Sequence, residues 1–468
     1  MGRILIKGGT LVSASGRSYA DLLLRGGKIV RVGENLDEDG AEVLDASGCY
    51  VLPGSVDPHV HLLLTSGNFT TADGYFTTTR SAACGGVTTV LDFAEQHAGE
   101  SLLEAVQKRR EECEGEACVD FSFHCNPTDI SDGQVKELAA LREAGVTSLK
   151  VYTTYKQAGF YLDAHSILRV MEEAAKQRIS VSIHAEDDDL IQGFATEYLA
   201  HGKKGLRYHG EARPPVIEEL AVAGLLYLAS ATGAAVYFVH LSSPRSVQMV
   251  RKAASDGIRA VAETCPHFLV LDDSVYLRED PRPYIMTPPV RSLENREGLW
   301  RHLFDGDIST IGSDHVGYTL AQREGVNNFT EVAPGIPGVE ATLPLMYTYG
   351  VVRRGMSLEQ LVDLLSTTPA RLFGLYPRKG SLIVGTDADL TVYDPNVRGI
   401  FQASEMHSEA GYSPYEGLER VGEVSITICR GEIVYRDGEF IGERGFGTFL
   451  QRTAAAAYPA RIEPNNEK

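Results

Sequence analysis

Val51-Leu52-Pro53-Gly54-Ser55-Val56-Asp57-Pro58-His59-Val60-His61 is a short apolar run that stops at a proline and then presents two imidazoles. The pattern recurs. Runs at 148–150, 181–183, 236–239 and 310–313 end on Lys150 or are followed at once by His184, His240 and Asp314. Three more runs, 88–92, 120–123 and 259–263, bring the strand-like segments to eight. Continuous short apolar runs are the signature of strands buried on both faces. Helical stretches separate most of them: 101–114, 134–144, 164–178, 217–233 and 244–257 carry apolar residues at three- and four-residue spacing, several ending at glycine. Eight strands alternating with helices predict an α/β fold, a (β/α)₈ TIM-like barrel with its site where the strands end. Imidazoles and a carboxylate gathered there point to a metal-dependent hydrolase.

At 468 residues the chain exceeds a simple barrel of about 250 residues, so a smaller domain is expected as well. Short alternating strands broken by glycine pairs fill the first fifty residues, and a similar set returns near the C-terminus. Each set alone would leave open edges, so the two are expected to pair. The expected division is a discontinuous β-sandwich from 1–52 and 376–440, a barrel at 53–375, and a tail at 441–468 that is mobile or used in assembly. Pro369 inside the helical stretch 358–373 predicts two shorter helices there.

A net charge of −19 argues against nucleic acid or an acidic membrane surface as partner. No apolar run approaches the ~20 residues that span a bilayer. Seven dispersed cysteines without a C-x-x-C favour a reducing cytoplasm over a disulfide framework.

Taken alone, the His59/His61 pair is weak, and a lone histidine after an apolar run is usually a satisfied core residue. His184 and His240 at the same relative position on different strands are harder to dismiss. Asp314 competes with His315; Asp314 is preferred because the site otherwise lacks a base. Lys150 leaves two readings open. As an ammonium it repels cations or serves as counter-ion, whereas as a carbamate it offers two bridging oxygens.

Several segments decide how these are read together: Gly54-Ser55-Val56-Asp57-Pro58-His59-Val60-His61, Leu149-Lys150-Val151-Tyr152-Thr153-Thr154-Tyr155-Lys156, His184-Ala185-Glu186, His240-Leu241-Ser242 and Gly312-Ser313-Asp314-His315. With Glu263-Thr264-Cys265-Pro266-His267, Tyr284-Ile285-Met286-Thr287-Pro288-Pro289 and Tyr412-Ser413-Pro414-Tyr415-Glu416-Gly417, their order and spacing resemble the cyclic amidohydrolases, most closely the hydantoinase and dihydropyrimidinase branch. The resemblance implies a two-metal site. His59, His61 and Asp314 would hold one ion, His184 and His240 the other, and carboxylated Lys150 would bridge them. Zinc is the implied metal, with manganese or cobalt as alternatives. It further implies Asp314 as proton carrier, Tyr155 as donor to the developing oxyanion, Thr287 as a ring-binding residue, and a homotetramer or dimer.

Leu63 stands where related dihydroorotases place a carboxylate-binding arginine. An apolar wall of Leu62-Leu63-Leu64, joined by Phe69 and Phe160, is expected to favour a neutral ring with an alkyl or aryl substituent. Two positions depart from the family: Thr287 replaces a serine, and Pro334 replaces an asparagine and cannot donate from side chain or backbone. The expected reaction opens 5-substituted hydantoins or dihydropyrimidines to N-carbamoyl amino acids. The alternatives are allantoinase or another ring, and a non-catalytic scaffold of the same fold.

Overall fold

The computed structural model describes residues 2–454. Its central sheet has eight parallel strands, each next to its sequence neighbour: Ser55–Asp57, Val87–Glu95, Asp120–Asn126, Ser148–Tyr152, Ser180–His184, Ala235–Phe238, Ala260–Thr264 and Thr310–Ile311. All but one residue of these strands are buried, as strands covered by helices outside and side chains inside must be. The first and last meet just beyond their ends. Asp314 N donates to His59 O at 2.9 Å, His61 N to His315 O at 3.1 Å, and Ser313 N to Asp57 Oδ1 at 3.1 Å. The barrel therefore closes on the segments that carry three candidate ligands.

The run at 51–57 serves two sheets. Tyr50–Pro53 pairs antiparallel with Leu390–Ile400, and Ser55–Asp57 enters the barrel beside Val87–Glu95. Gly54 makes the passage possible, because a Cβ there would lie 2.3 Å from Thr88 Oγ1. Tyr50–Pro53 and Leu390–Ile400 belong to a seven-stranded sheet, running from Glu439–Phe440 to Gly16–Tyr19, that joins segments from both ends of the chain. A four-stranded sheet, Lys28–Gly33, Asp21–Arg25, Arg3–Lys7 and Glu42–Asp45, packs on it through Ile4, Ile6, Leu22, Leu24, Val51, Leu390 and Ile428.

Helix limits follow local chemistry. Ser101 caps Leu102–Cys113 by accepting from Glu104 N at 3.1 Å while Glu104 Oε2 accepts from Ser101 N at 2.8 Å. Tyr75–Cys84, Asp188–Ala200 and Leu293–Phe304 are helices the periodicity did not single out. The stretch 358–373 holds two short α-helices, Leu358–Val362 and Thr368–Leu372, joined by a widened π turn, Asp363–Thr367, with Pro369 in the first turn of the second.

Within the stretch expected to be a tail, residues 447–450 lie along Asp120–Asn126. Phe121 N donates to Thr448 O at 3.1 Å and Leu450 N to Phe121 O at 2.7 Å. Leu450 is fully buried against Val56, Leu91 and Phe373 at the barrel floor. The remainder of that expectation, 455–468, lies outside the described residues.

Candidate metal centre

His59 and His61 follow the first barrel strand, Lys150 sits in the fourth, His184 ends the fifth, and His240 and Asp314 follow the sixth and eighth. The barrel brings all six side chains together at its C-terminal mouth. Asp314 Oδ1 stands 3.1 Å from His59 Nε2 and 3.5 Å from His61 Nε2, and these three residues' donor atoms lie within 4.8 Å of one another. Lys150 Nζ is 3.4 Å from His59 Nε2. Opposite, His240 Nε2 is 2.9 Å from His184 Nδ1.

Backbone strain accompanies this convergence. His240, Asp314 and Tyr155 have φ of 40°, 47° and 65°, left-handed values for non-glycine residues. Each costs about 1–3 kcal/mol unless its surroundings impose it. Hydrogen bonds impose two of them: His240 N donates to Glu263 Oε1 at 2.9 Å, and Asp314 N to His59 O at 2.9 Å.

Two glutamates to which the sequence assigned no role orient the imidazoles. Glu263 Oε1 is 2.7 Å from His59 Nδ1, and Glu186 Oε2 is 2.7 Å from His184 Nε2. An ionised carboxylate only accepts, so each ring keeps its hydrogen on that nitrogen and turns its lone pair toward the chamber. Tyr237 OH donates to Glu263 Oε2 at 2.5 Å, and Arg213 Nε lies 3.1 Å from Glu186 Oε1. A signal for Glu263 was present, since it ends the seventh apolar run just as the other candidates end theirs.

The charge states suit cation binding. Burial pushes His61 down to about 4 and His240 well below the ordinary imidazole range, so both rings are neutral near pH 7. Burial and Lys150 act the same way on His59, but Asp314 and Glu263 outweigh them and leave it raised. Burial raises Asp314, yet His59 and His61 overcome this and hold its carboxyl well below the usual range. Burial draws the Lys150 ammonium down to about 8. Imidazole lone pairs, an ionised carboxylate and a lysine that readily loses its proton form a donor set that fits zinc-class divalent cations.

His315, the competitor of Asp314, faces elsewhere. Its Nδ1 accepts from Gly338 N at 3.2 Å, and Nε2 lies 3.2 Å from Asp73 Oδ2. Tyr155 OH bonds Thr287 Oγ1, and both side chains border the metal-facing chamber. Burial raises the Tyr155 phenol above its ordinary value, which keeps it a proton-bearing donor.

This inner chamber, about 70 Å³, opens into an outer one of about 570 Å³ through the shared residues Ser66, Tyr155, Thr287, Tyr318 and Pro334. The expected apolar wall is only partly there. Leu64 and Phe160 line the inner chamber and Phe69 the outer one. Leu62 is buried in the core, and Leu63 packs against it with its carbonyl accepting from Arg109 Nη2 at 2.9 Å. Beyond Thr287 the outer wall mixes polar Asp188, Gln192 and Arg213 with apolar Ile191, Phe329 and Val332.

Comparison with known proteins agrees with this geometry. The model of the amidohydrolase family matches residues 50–434. The chain is 38% identical to a D-hydantoinase of Geobacillus stearothermophilus over 462 residues, covering 97% of this chain and 98% of that one. It is 37% identical to a D-hydantoinase of Ralstonia pickettii, covering 96% and 98%. The crystal structure of a dihydropyrimidinase from Brevibacillus agri NCHU1002 superposes with a TM-score of 0.95 at 35% identity, over 97% of this chain and 100% of that one. A barrel closed on its own ligand-bearing segments, matched end to end in sequence and shape, places this chain in the amidohydrolase family, among the D-hydantoinases and dihydropyrimidinases.

Proposed function

We propose that this chain is a metal-dependent hydrolase that opens the cyclic amide bond of 5-substituted hydantoins or dihydropyrimidines to N-carbamoyl amino acids. The observation that carries the reading is the convergence of His59, His61, Lys150, His184, His240 and Asp314 at the barrel mouth. The relatives are named for hydantoins and dihydropyrimidines, so a different ring is not favoured. A scaffold reading has no support in a site that retains all six side chains.

In this reading His59, His61 and Asp314 would hold one divalent ion and His184 and His240 a second, with carboxylated Lys150 as a ligand they would share. Zinc suits the donors best, and manganese or cobalt can take the same set. When bound, such ions lower the pKa of water from ~15.7 toward ~7 and polarise a carbonyl. Lys150 supports its own carboxylation by position: its buried amine has no ion-pair partner among the described residues. Asp314 accepts the proton of the attacking water on its carboxylate and passes it to the departing ring nitrogen. Tyr155 donates its phenolic hydrogen to the oxygen that gains charge. Thr287, bonded to Tyr155, positions the ring beside it. Pro334 borders both chambers and presents no donor, so recognition at that edge falls to its neighbours.

Three further expectations join this reading. The chain works as a homo-oligomer, dimer or tetramer; helix Val216–Thr232 supports this by exposing Val216, Leu220 and Tyr227 along one side. A cytoplasmic location is supported by seven free cysteines, and no helix among the described residues is long and apolar enough to cross a membrane. The pairing of 1–52 with 376–440 as one unit beside the barrel at 53–375 is supported by the sheet that joins both chain ends.

The test is turnover of a panel of 5-substituted hydantoins, dihydrouracil, allantoin and dihydroorotate, with metal analysis of the same preparation. Ring opening of hydantoins or dihydrouracil by metal-loaded protein is expected. Turnover of dihydroorotate alone, or active protein free of metal, overturns the reading.

A further inference from the structure

A second set of unlike donors meets behind the barrel mouth, on residues the centre above does not use. Cys84 ends helix Tyr75–Cys84, Glu340 lies in the turn Val339–Ala341, and His407 follows the turn Ala403–Glu405. One donor atom from each falls within 4.8 Å of the others. We propose that Cys84, Glu340 and His407 form a separate site for a zinc-class divalent cation, with the fourth position left to water.

The three donors are held in place before any ion arrives. Gly85 lies against the backbone of Glu340, where a Cβ would come within 2.6 Å of Glu340 Cα, so Cys84 is fixed relative to Glu340. The Glu340 carboxylate binds His407 twice, accepting from its backbone N at 2.9 Å and meeting its Nδ1 at 2.8 Å. For an ion to bind, the hydrogen between them must leave: with it carried on Nε2, Nδ1 and Glu340 Oε1, 2.8 Å apart, turn lone pairs toward one point. The ring of Tyr435 stands at 90° to His407 with centroids 6.4 Å apart. Cys84 is buried, while the Glu340 and His407 side chains retain 12% and 24% exposure, which gives an ion a way in.

The chemistry selects the ion. Thiolate with imidazole and carboxylate suits zinc or cobalt and disfavours magnesium and calcium, which prefer oxygen throughout. On binding, the thiol proton passes to solvent. The simpler alternative is a hydrogen-bonded His–Glu pair beside a core thiol, and the two differ in whether Sγ takes a cation.

Such an ion would tie together the segments around His315 without reaching the barrel-mouth centre. The bridged segments also hold His315: Gly338 N donates to His315 Nδ1, and Asp73, which meets His315 Nε2, accepts from Glu409 N at 2.8 Å. The proposal does not rest on the reading of the barrel-mouth centre.

Cobalt(II) makes the test specific, because the six side chains of the barrel mouth include no thiolate. Apo-protein titrated with cobalt is expected to develop a near-ultraviolet thiolate-to-cobalt charge-transfer band. Cys84→Ser should abolish that band and bind one ion fewer per chain, with ring-opening turnover unchanged. His407→Gln, on a loop, should weaken the band as well. A wild-type protein without the band, or a band that survives Cys84→Ser, overturns the proposal. If the band appears while hydantoin turnover does not, this site stands and the functional reading falls.

Discussion

Lys150 at the barrel mouth and Lys379 at its floor are equally buried, each 1% exposed, yet their pKa values move in opposite directions. Lys379 Nζ lies 2.6 Å from Asp120 and 3.1 Å from Asp387, with Asp389 as a third partner. Burial disfavours its charge, but the carboxylates outweigh burial and hold its pKa above the ordinary value. Lys150 has imidazoles and aromatic faces around it, with Phe93 and Tyr152 at 5.0 and 5.2 Å, and burial takes it down to about 8. Depth alone therefore does not set a lysine's chemistry; the groups within ion-pairing distance do. The floor lysine is held as a structural cation, and the mouth lysine gives up its proton more easily.

Lys150→Ala is the harshest test of this contrast. With a bridging ligand gone, turnover should fall by more than ~10³-fold, equivalent to several kcal/mol of barrier, and bound metal should drop while the fold stays intact. Unchanged turnover and metal content would end the two-ion picture. At the floor, Lys379→Met leaves three carboxylates without their shared cation, and unfolding free energy should drop by about 3–5 kcal/mol with little change in kcat. Denaturant melts measure it; a large loss of kcat with unaltered stability would mean that the floor is not merely structural.

Tyr155→Phe keeps the ring and removes one donor, so kcat should decline ~10²–10³-fold with KM and metal content nearly constant. Glu263→Gln weakens the support of His59 and of the His240 backbone, and metal affinity should fall ~10–100-fold, with activity recovered at saturating metal. The smallest effect is on acid stability. Asp387 is depressed from 3.8 to about 2; burial opposes the shift, but Lys379, Lys28 and Arg378 outweigh it. A depressed carboxyl stabilises the fold above its unfolded pKa and loses that contribution as pH falls through the folded one. Wild-type melting temperature should therefore drop between about pH 4 and pH 2, and Asp387→Asn should flatten that slope.

The barrel was legible because both-face-buried strands must be apolar throughout, so all eight runs stood out from helices of 3.6-residue period. The six candidate ligands were legible through their position after those runs. Other features were not. Glu186 and Glu263 look like ordinary acidic residues until folding brings His184 and His59 within 2.7 Å of them. Of the expected wall Leu62-Leu63-Leu64 only Leu64 lines the chamber, because side-chain direction after a strand end follows the turn and not the spacing.

By itself the sequence determined which residue types end which strands, since hydrophobic runs and their terminal side chains are local properties of the chain. Only the tertiary structure decided which nitrogen of each histidine faces the chamber, which lysine keeps its proton, and that Cys84, Glu340 and His407 meet at all. Those outcomes depend on distances between segments hundreds of residues apart. Electrostatic and hydrogen-bond energies change steeply over a few ångströms, and no linear pattern records them.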